Sequence, residues 1–275
     1  MKILFTDLDG TLLTDDKRIT PANYAALMSA LSAGHKIVIT TGRPLKSAKI
    51  QAAKLGLDGP GCYLIAYNGS LVYDCGAQQV IYELPLSREA LLAAADECNR
   101  RGVFIQAYDA EDVVVEAHNA GPIPERYCSV IDMSWHSVPS FRDLTEPSPK
   151  ALIIDFNGRE KTDLMQQWIR ENLSDSADCY YSNKFYLELV HKGMDKGSAV
   201  AAMCERLGVP IENAVAVGDE ANDVSMIAAA GVGVAMANGI PAAKAAADYV
   251  TERDNNHDGM VEVVERFVLC NNGAE

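Results

Sequence analysis

The sequence predicts an α/β protein: a doubly wound, mainly parallel sheet with a second α+β module inserted into it. Three observations carry this. Both ends of the chain alternate short apolar runs with helix-like segments. The runs Ile3-Leu4-Phe5, Ile37-Val38-Ile39 and Ala214–Val217 are continuous rather than alternating, as in parallel strands covered on both faces. The middle third instead pairs strand-like runs across short polar turns, an antiparallel habit.

The elements follow in order. Ile3–Phe5 is a strand. Thr20-Pro21 opens a helix, with Thr as N-cap and Pro at the first helical position. Tyr24, Leu27, Met28 and Leu31 share one face of it, and Gly34 can end it. Lys36–Ile39 is a second strand, Pro44 starts a helix reaching Leu55, and Tyr63–Ala66 is a third strand. In the middle, Leu86–Arg101 is helical with Ser87 as N-cap. Phe104–Tyr108 and Val113–Glu116 pair around the acidic turn Asp109–Asp112. Ala151–Phe156 is a strand, Lys161–Asn172 a helix, and Tyr180–Val190 a hairpin. The α/β style then resumes with helices at Ser198–Leu207, Asp223–Ala230 and Ala242–Ala247 and strands at Ala214–Val217 and Val232–Met236. The expected division is a core of residues 1–84 and 191–275 and an inserted module of residues 85–190.

Composition narrows the partners. A net charge of −14 over 275 residues argues against nucleic acid and against an anionic membrane surface. The seven cysteines are odd in number and lack C-x-x-C spacing, which suits a reduced, cytoplasmic protein. No secretory leader is expected, because an acid arrives at Asp7 before any long apolar run. Val224–Ala243 is uncharged and long enough to tempt a membrane reading. Its Ser, Asn, Pro and glycines read better as a helix, a strand and a new helix start. A monomer is the default expectation.

Chemistry gathers at one edge. In open α/β sheets, ligands bind beyond the carboxyl ends of the strands. There the sequence delivers Asp7-Leu8-Asp9-Gly10-Thr11, then Thr40-Thr41-Gly42-Arg43, then Asn68-Gly69-Ser70, then Gly218-Asp219-Glu220-Ala221-Asn222-Asp223. Asp7, Asp9, Asp219 and Asp223 would crowd together, and crowded carboxylates need a cation or must take up protons. The donors are all oxygens, without His or Cys, which selects a hard ion such as Mg²⁺. Phosphate is the matching ligand. Thr41 offers a hydroxyl, the Gly42 amide lies near a helix N-terminus, and Lys196 brings a positive charge to the same edge. The five histidines fall in no metal spacing and read as structural or surface residues.

"DLDGT", "TTGR", "GMDKG" and "GDEAND", in this order, resemble the four motifs of the haloacid dehalogenase superfamily of phosphotransferases. "YNGS", "FYLELVHKGMDKG" and "DGMVEVVERF" resemble its Cof-type branch of sugar-phosphate phosphatases. The resemblance implies a Rossmann-like core with an inserted α/β cap, and an Mg²⁺-dependent phosphatase of small phosphorylated metabolites. It implies Asp7 as the nucleophile that forms an aspartyl-phosphate and Asp9 as general acid and then base. It implies Mg²⁺ on the Asp7 carboxylate, the Asp9 backbone carbonyl and Asp219, with Asp223 in support. Thr41 and Lys196 would bind phosphoryl oxygens, with Arg43 and Asn222 close to substrate. Phosphotransferases that only relay phosphate carry threonine where this chain has Asp9, so the aspartate favours hydrolysis. The competing expectation is a hexose phosphate phosphomutase, because eukaryotic phosphomannomutases resemble this core and cap. A non-catalytic binding protein is disfavoured by intact Asp7, Asp9, Lys196 and Asp219.

Overall fold

The structure is a computed structural model that describes residues 1–270; positions 271–275, the end of the expected second core segment, lie outside the described residues. The chain begins β1 (Ile3–Thr6), α1 (Pro21–Ser32), β2 (Lys36–Thr40), α2 (Leu45–Lys54), β3 (Cys62–Ala66), β4 (Leu71–Asp74) and β5 (Gln79–Glu83). The middle comprises α3 (Arg88–Arg101), β6 (Phe104–Tyr108), β7 (Val113–Glu116), α4 (Pro122–Ile131), β8 (Trp135–Val138), β9 (Ala151–Ile154), α5 (Glu160–Asn172), β10 (Ala177–Tyr181) and β11 (Tyr186–His191). It closes with α6 (Lys196–Leu207), β12 (Ala214–Gly218), α7 (Val224–Ala229), β13 (Val232–Ala235), α8 (Pro241–Ala246), β14 (Tyr249–Val250) and α9 (Gly259–Val263).

An eight-stranded sheet runs β14-β13-β12-β1-β2-β3-β4-β5. It is parallel from β14 to β3, and β4 and β5 complete it as an antiparallel edge. The continuous apolar strands have a direct explanation here. Leu4 joins one buried cluster with Leu27, Ala48 and Met260, while its neighbours Ile3 and Phe5 join another with Val200 and Met203. Helices cover both faces, so neither face of the strand can be polar.

A six-stranded sheet runs β10-β11-β9-β6-β7-β8 and is antiparallel except where β7 meets β8. One of its faces packs Ile105, Ala107, Ala151 and Ile153 against α3 and α5. The other shares a cluster with the large sheet's domain: Phe104, Tyr108, Leu152 and Ile154 pack with Leu8, Leu12 and Tyr67. Among the described residues no helix is long and apolar enough to cross a membrane.

The expected caps hold: Thr20 Oγ1 accepts from Asn23 N (3.1 Å) and Ser87 Oγ from Ala90 N (3.1 Å). Val224–Ala243 resolves into a helix, a strand and a helix start, as expected. Sequence reasoning missed the β4–β5 hairpin, α4, β8, β14 and α9. Helix α4 begins with Pro-Ile-Pro after Gly121, and β8 is a half-exposed run of Trp-His-Ser-Val. In α4 the buried Pro124, Tyr127, Cys128 and Ile131 do keep helical spacing behind the proline-rich start, whereas β8 carries no clear period.

Candidate active site

The site lies at the carboxyl edge of β1, β2, β3 and β12. Asp7 directly follows β1, and its amide donates to Val217 O (3.0 Å), fixing it beside β12. Lys196 is the first residue of α6, which Asp195 and Ser198 cap reciprocally. Its ammonium is fully buried and donates to Asp7 Oδ1 and to Asp223 Oδ1, both at 2.6 Å. The second Asp223 oxygen accepts from the amides of Asp219 (3.0 Å) and Glu220 (2.9 Å). Asp219 Oδ1 accepts from Thr11 Oγ1 (2.6 Å).

Carboxylate oxygens of Asp7, Asp219 and Asp223 lie within 4.8 Å of one another. The three do not have equal capacity. Both oxygens of Asp223 are engaged by Lys196 and the two amides, which makes it a bracket for the loop and the lysine. Asp7 and Asp219 keep free oxygen valence. Space has been reserved beside Asp219: Gly10 sits at φ +85°, and a Cβ there would come within 2.4 Å of Asp219 Oδ2. Burial, then Asp223 and Glu220, push the Asp219 carboxyl up to about 7, against the Thr11 hydrogen bond. Burial also raises Asp7; Lys196 opposes this, and Asp223, Asp219 and Asp9 add to it. Burial disfavours the charged lysine, yet Asp223 and Asp7 hold its pKa above the ordinary value. One cation among the three carboxylates Asp7, Asp219 and Asp223 leaves excess negative charge, and the all-oxygen set fits a hard divalent ion.

Asp9 points elsewhere. Arg43 grips it with Nε on Oδ2 (2.9 Å) and Nη2 on Oδ1 (3.0 Å), and Lys17 adds a bond to Oδ1 (2.7 Å). Burial pulls its carboxyl up, but the two cations more than offset this and hold it below the usual range. Arg43 therefore reaches the site through Asp9. The Arg43 amide donates to Thr41 Oγ1 (3.2 Å), so the Thr41 hydroxyl hydrogen is left to point to another acceptor. Asn222 Nδ2 donates to Asn68 Oδ1 (3.1 Å), which ties the Asp219–Asp223 loop to the Tyr67–Gly69 turn.

Sequence reasoning placed Asn68 at this edge without a role. Tyr67, Asn68 and Gly69 all have positive φ (53°, 58° and 118°), and two of them are not glycine. Such strain costs about 1–3 kcal/mol per residue and collects at functional sites. It presses the turn against the "TTGR" loop: Asn68 N donates to Thr41 O (3.0 Å) and Tyr67 N to Arg43 O (3.0 Å). The buried Asn68 Nδ2 and Ser70 Oγ lack partners among the described residues.

The small sheet contributes residues that no motif signalled. Lys150, almost fully buried, donates to Glu188 Oε2 (2.7 Å) and across to Gly42 O (2.8 Å). Gln106, Leu152, Glu188 and Tyr180 stand abreast on β6, β9, β11 and β10. Tyr108 hydrogen-bonds Tyr127 (2.9 Å) and packs edge-on against Tyr67 (5.5 Å).

Residues 4–264 match the haloacid dehalogenase-like hydrolase family. The chain belongs to this family. It is 31% identical to the putative phosphatase YxeH of Bacillus subtilis over 272 residues, covering 98% of this chain and 99% of the relative. A haloacid dehalogenase-like hydrolase from Bacteroides thetaiotaomicron shares the fold at TM-score 0.86 and 30% identity, covering 96% of this chain and 98% of that one. The subclass IIB sugar phosphatase BT4131 aligns at TM-score 0.81 and 25% identity, covering 97% and 99%. The chain is thus a haloacid dehalogenase-type enzyme, a phosphoric monoester hydrolase.

Proposed function

We propose that the enzyme hydrolyses small phosphorylated metabolites, sugar phosphates foremost, through an aspartyl-phosphate on Asp7. The observation that carries this reading is the buried Lys196 joining Asp7 to Asp223, beside Asp219 and the Thr41 loop. The likeness to a sugar phosphatase supports the substrate class.

In the first step an Asp7 carboxylate oxygen bonds to phosphorus, the bond from phosphorus to the leaving oxygen breaks, and a proton on Asp9 passes to that oxygen. In the second, a water oxygen attacks phosphorus, its proton goes to the Asp9 carboxylate, and the Asp7–phosphorus bond breaks, restoring Asp7. Thr41 donates its hydroxyl to a phosphoryl oxygen, the Gly42 amide does the same, and Lys196 offsets negative charge. Arg43 and Lys17 hold Asp9 ionised, which suits the water-activating step. A phosphoryl group that draws Arg43 away frees Asp9 to carry the proton of the first step. Asn222 and Asn68 line the approach. Mg²⁺, held by Asp7, Asp219 and the Asp9 backbone carbonyl with Asp223 in support, would supply charge neutralisation when bound.

The reading assigns residues 1–84 and 191–275 to a catalytic core and residues 85–190 to a cap that excludes water, with hinges near Leu84–Pro85 and Val190–His191. It places the enzyme in the cytoplasm as a monomer. The test is phosphate release from a panel of sugar, nucleotide and small organic phosphates, with Mg²⁺ and with chelator. Mg²⁺-dependent release, highest on sugar phosphates, supports it. No release from any compound by folded, Mg²⁺-loaded protein overturns it.

A further inference from the structure

We propose that Lys150 is a positioning residue for the reaction: it reaches from the small sheet and locks the peptide between Gly42 and Arg43, whose amide in turn holds the Thr41 hydroxyl in its phosphate-binding orientation. This rests on the reading of Thr41–Arg43 as the phosphate loop. The Gly42 carbonyl and the Arg43 amide belong to one planar unit and point in opposite directions. Lys150 Nζ holds the carbonyl end at 2.8 Å, and Thr41 Oγ1 accepts from the amide end at 3.2 Å. The hydroxyl of Thr41 is thereby committed as an acceptor on one side and free as a donor on the other.

Without the lysine, only the weaker bond at 3.2 Å would oppose rotation of a unit that begins at glycine, the residue with the least resistance to it. A bulkier residue cannot stiffen the position, because a Cβ at Gly42 would meet Asn68 Oδ1 at 2.9 Å. The neighbouring unit is already fixed, since Asn68 N holds Thr41 O. Lys150 is itself anchored. Glu188 takes its charge at 2.7 Å, and Ser182 Oγ donates to the other Glu188 oxygen at 2.7 Å. A buried ion pair is a poor source of stability and a good source of fixed geometry when its remaining valences are satisfied. The lysine and the loop it holds sit on different sheets, so the lock is engaged only when the two sheets are apposed. Nearby polar contacts hold that apposition: Ser47 Oγ donates to Ile131 O (2.5 Å) and Lys54 pairs with Asp132 (2.8 Å).

The test compares Lys150→Met/Glu188→Gln, which strands no charge, with Lys150→Arg, which keeps one. The measured quantities are the inhibition constant of inorganic phosphate, kcat and KM on a phosphate monoester, and the melting temperature. The expected result is at least a tenfold rise in KM and in the phosphate inhibition constant for the double variant. Lys150→Arg should recover part of both, and neither change should follow the melting temperature. A phosphate inhibition constant within twofold of the parent in the folded double variant overturns the proposal. Thr41→Val separates the two layers. If it leaves phosphate inhibition unchanged, the phosphate-loop reading fails; if it weakens inhibition while the Lys150 variants do not, only the lock fails.

Discussion

Arg43 holds Asp9 by two parallel bonds, Nε to Oδ2 at 2.9 Å and Nη2 to Oδ1 at 3.0 Å. The pairing joins the residue proposed to manage protons to the "TTGR" loop. The fork geometry is particular to a guanidinium, and a lysine can offer only a point charge. Arg43→Lys should therefore behave as a loss. With charge-assisted bonds worth about 1.5–3 kcal/mol, kcat/KM should fall about 10- to 100-fold. Steady-state kinetics check this, and an Arg43→Lys enzyme with parental kcat/KM would show that the fork is dispensable.

Lys196, itself fully buried, carries two carboxylates. Lys196→Met leaves Asp7 and Asp223 buried without their cation. Breaking a buried ion pair on one side costs about 3–5 kcal/mol. The variant should melt well below the parent in chelator and lose activity. Denaturant unfolding measures the stability change, and a loss below about 1 kcal/mol would contradict the buried-charge account.

Gly10 makes room for Asp219. Gly10→Ala strains a backbone at φ +85° and drives a Cβ onto Asp219 Oδ2. Displacing the carboxylate proposed to hold Mg²⁺ should weaken the ion at least about tenfold. Titration of the melting temperature with Mg²⁺ reads this directly, and an unchanged Mg²⁺ midpoint would remove Asp219 from the proposed metal set.

The core was legible because its physics is local. Continuous apolar runs, Thr and Ser caps, and acids placed after strands each announce themselves within a few residues. The residues from the small sheet did not. Lys150 and Glu188 are 38 positions apart and lie far along the chain from Gly42, and the apolar strands beside them do not reveal that the two charges are buried as a pair. Arg43 was expected beside substrate, but its partner Asp9 depends on how two loops meet. Asn68 stood in a readable "YNGS", while its left-handed backbone and its contact with Asn222 are tertiary facts. The edge hairpin β4–β5 was missed because its outer strand is mostly exposed and carries no buried pattern.

Glu97 supplies a pH dependence away from the site. Hydrogen bonds from Arg100 and Arg101 lower its carboxyl to about 2 against desolvation. A carboxyl depressed on folding adds stability above its unfolded value, near 4.5, and loses it as pH falls toward 2. Glu97→Gln should lower the melting temperature at pH 7, and the gap should close as pH approaches 2. Thermal melts across pH check this; a gap that stays constant with pH would mean that the pair contributes no charge-linked stability.

The central claim is that Asp7 carries the phosphoryl group. Rapid acid quench during turnover with Mg²⁺, followed by mass mapping of the peptide containing Asp7, tests it most directly. The account predicts one phosphoryl group on Asp7, absent in chelator and absent in Asp7→Asn, with phosphate release falling more than about a thousandfold in that variant. Undiminished phosphate release from Asp7→Asn, or turnover with the label on another residue, would contradict it.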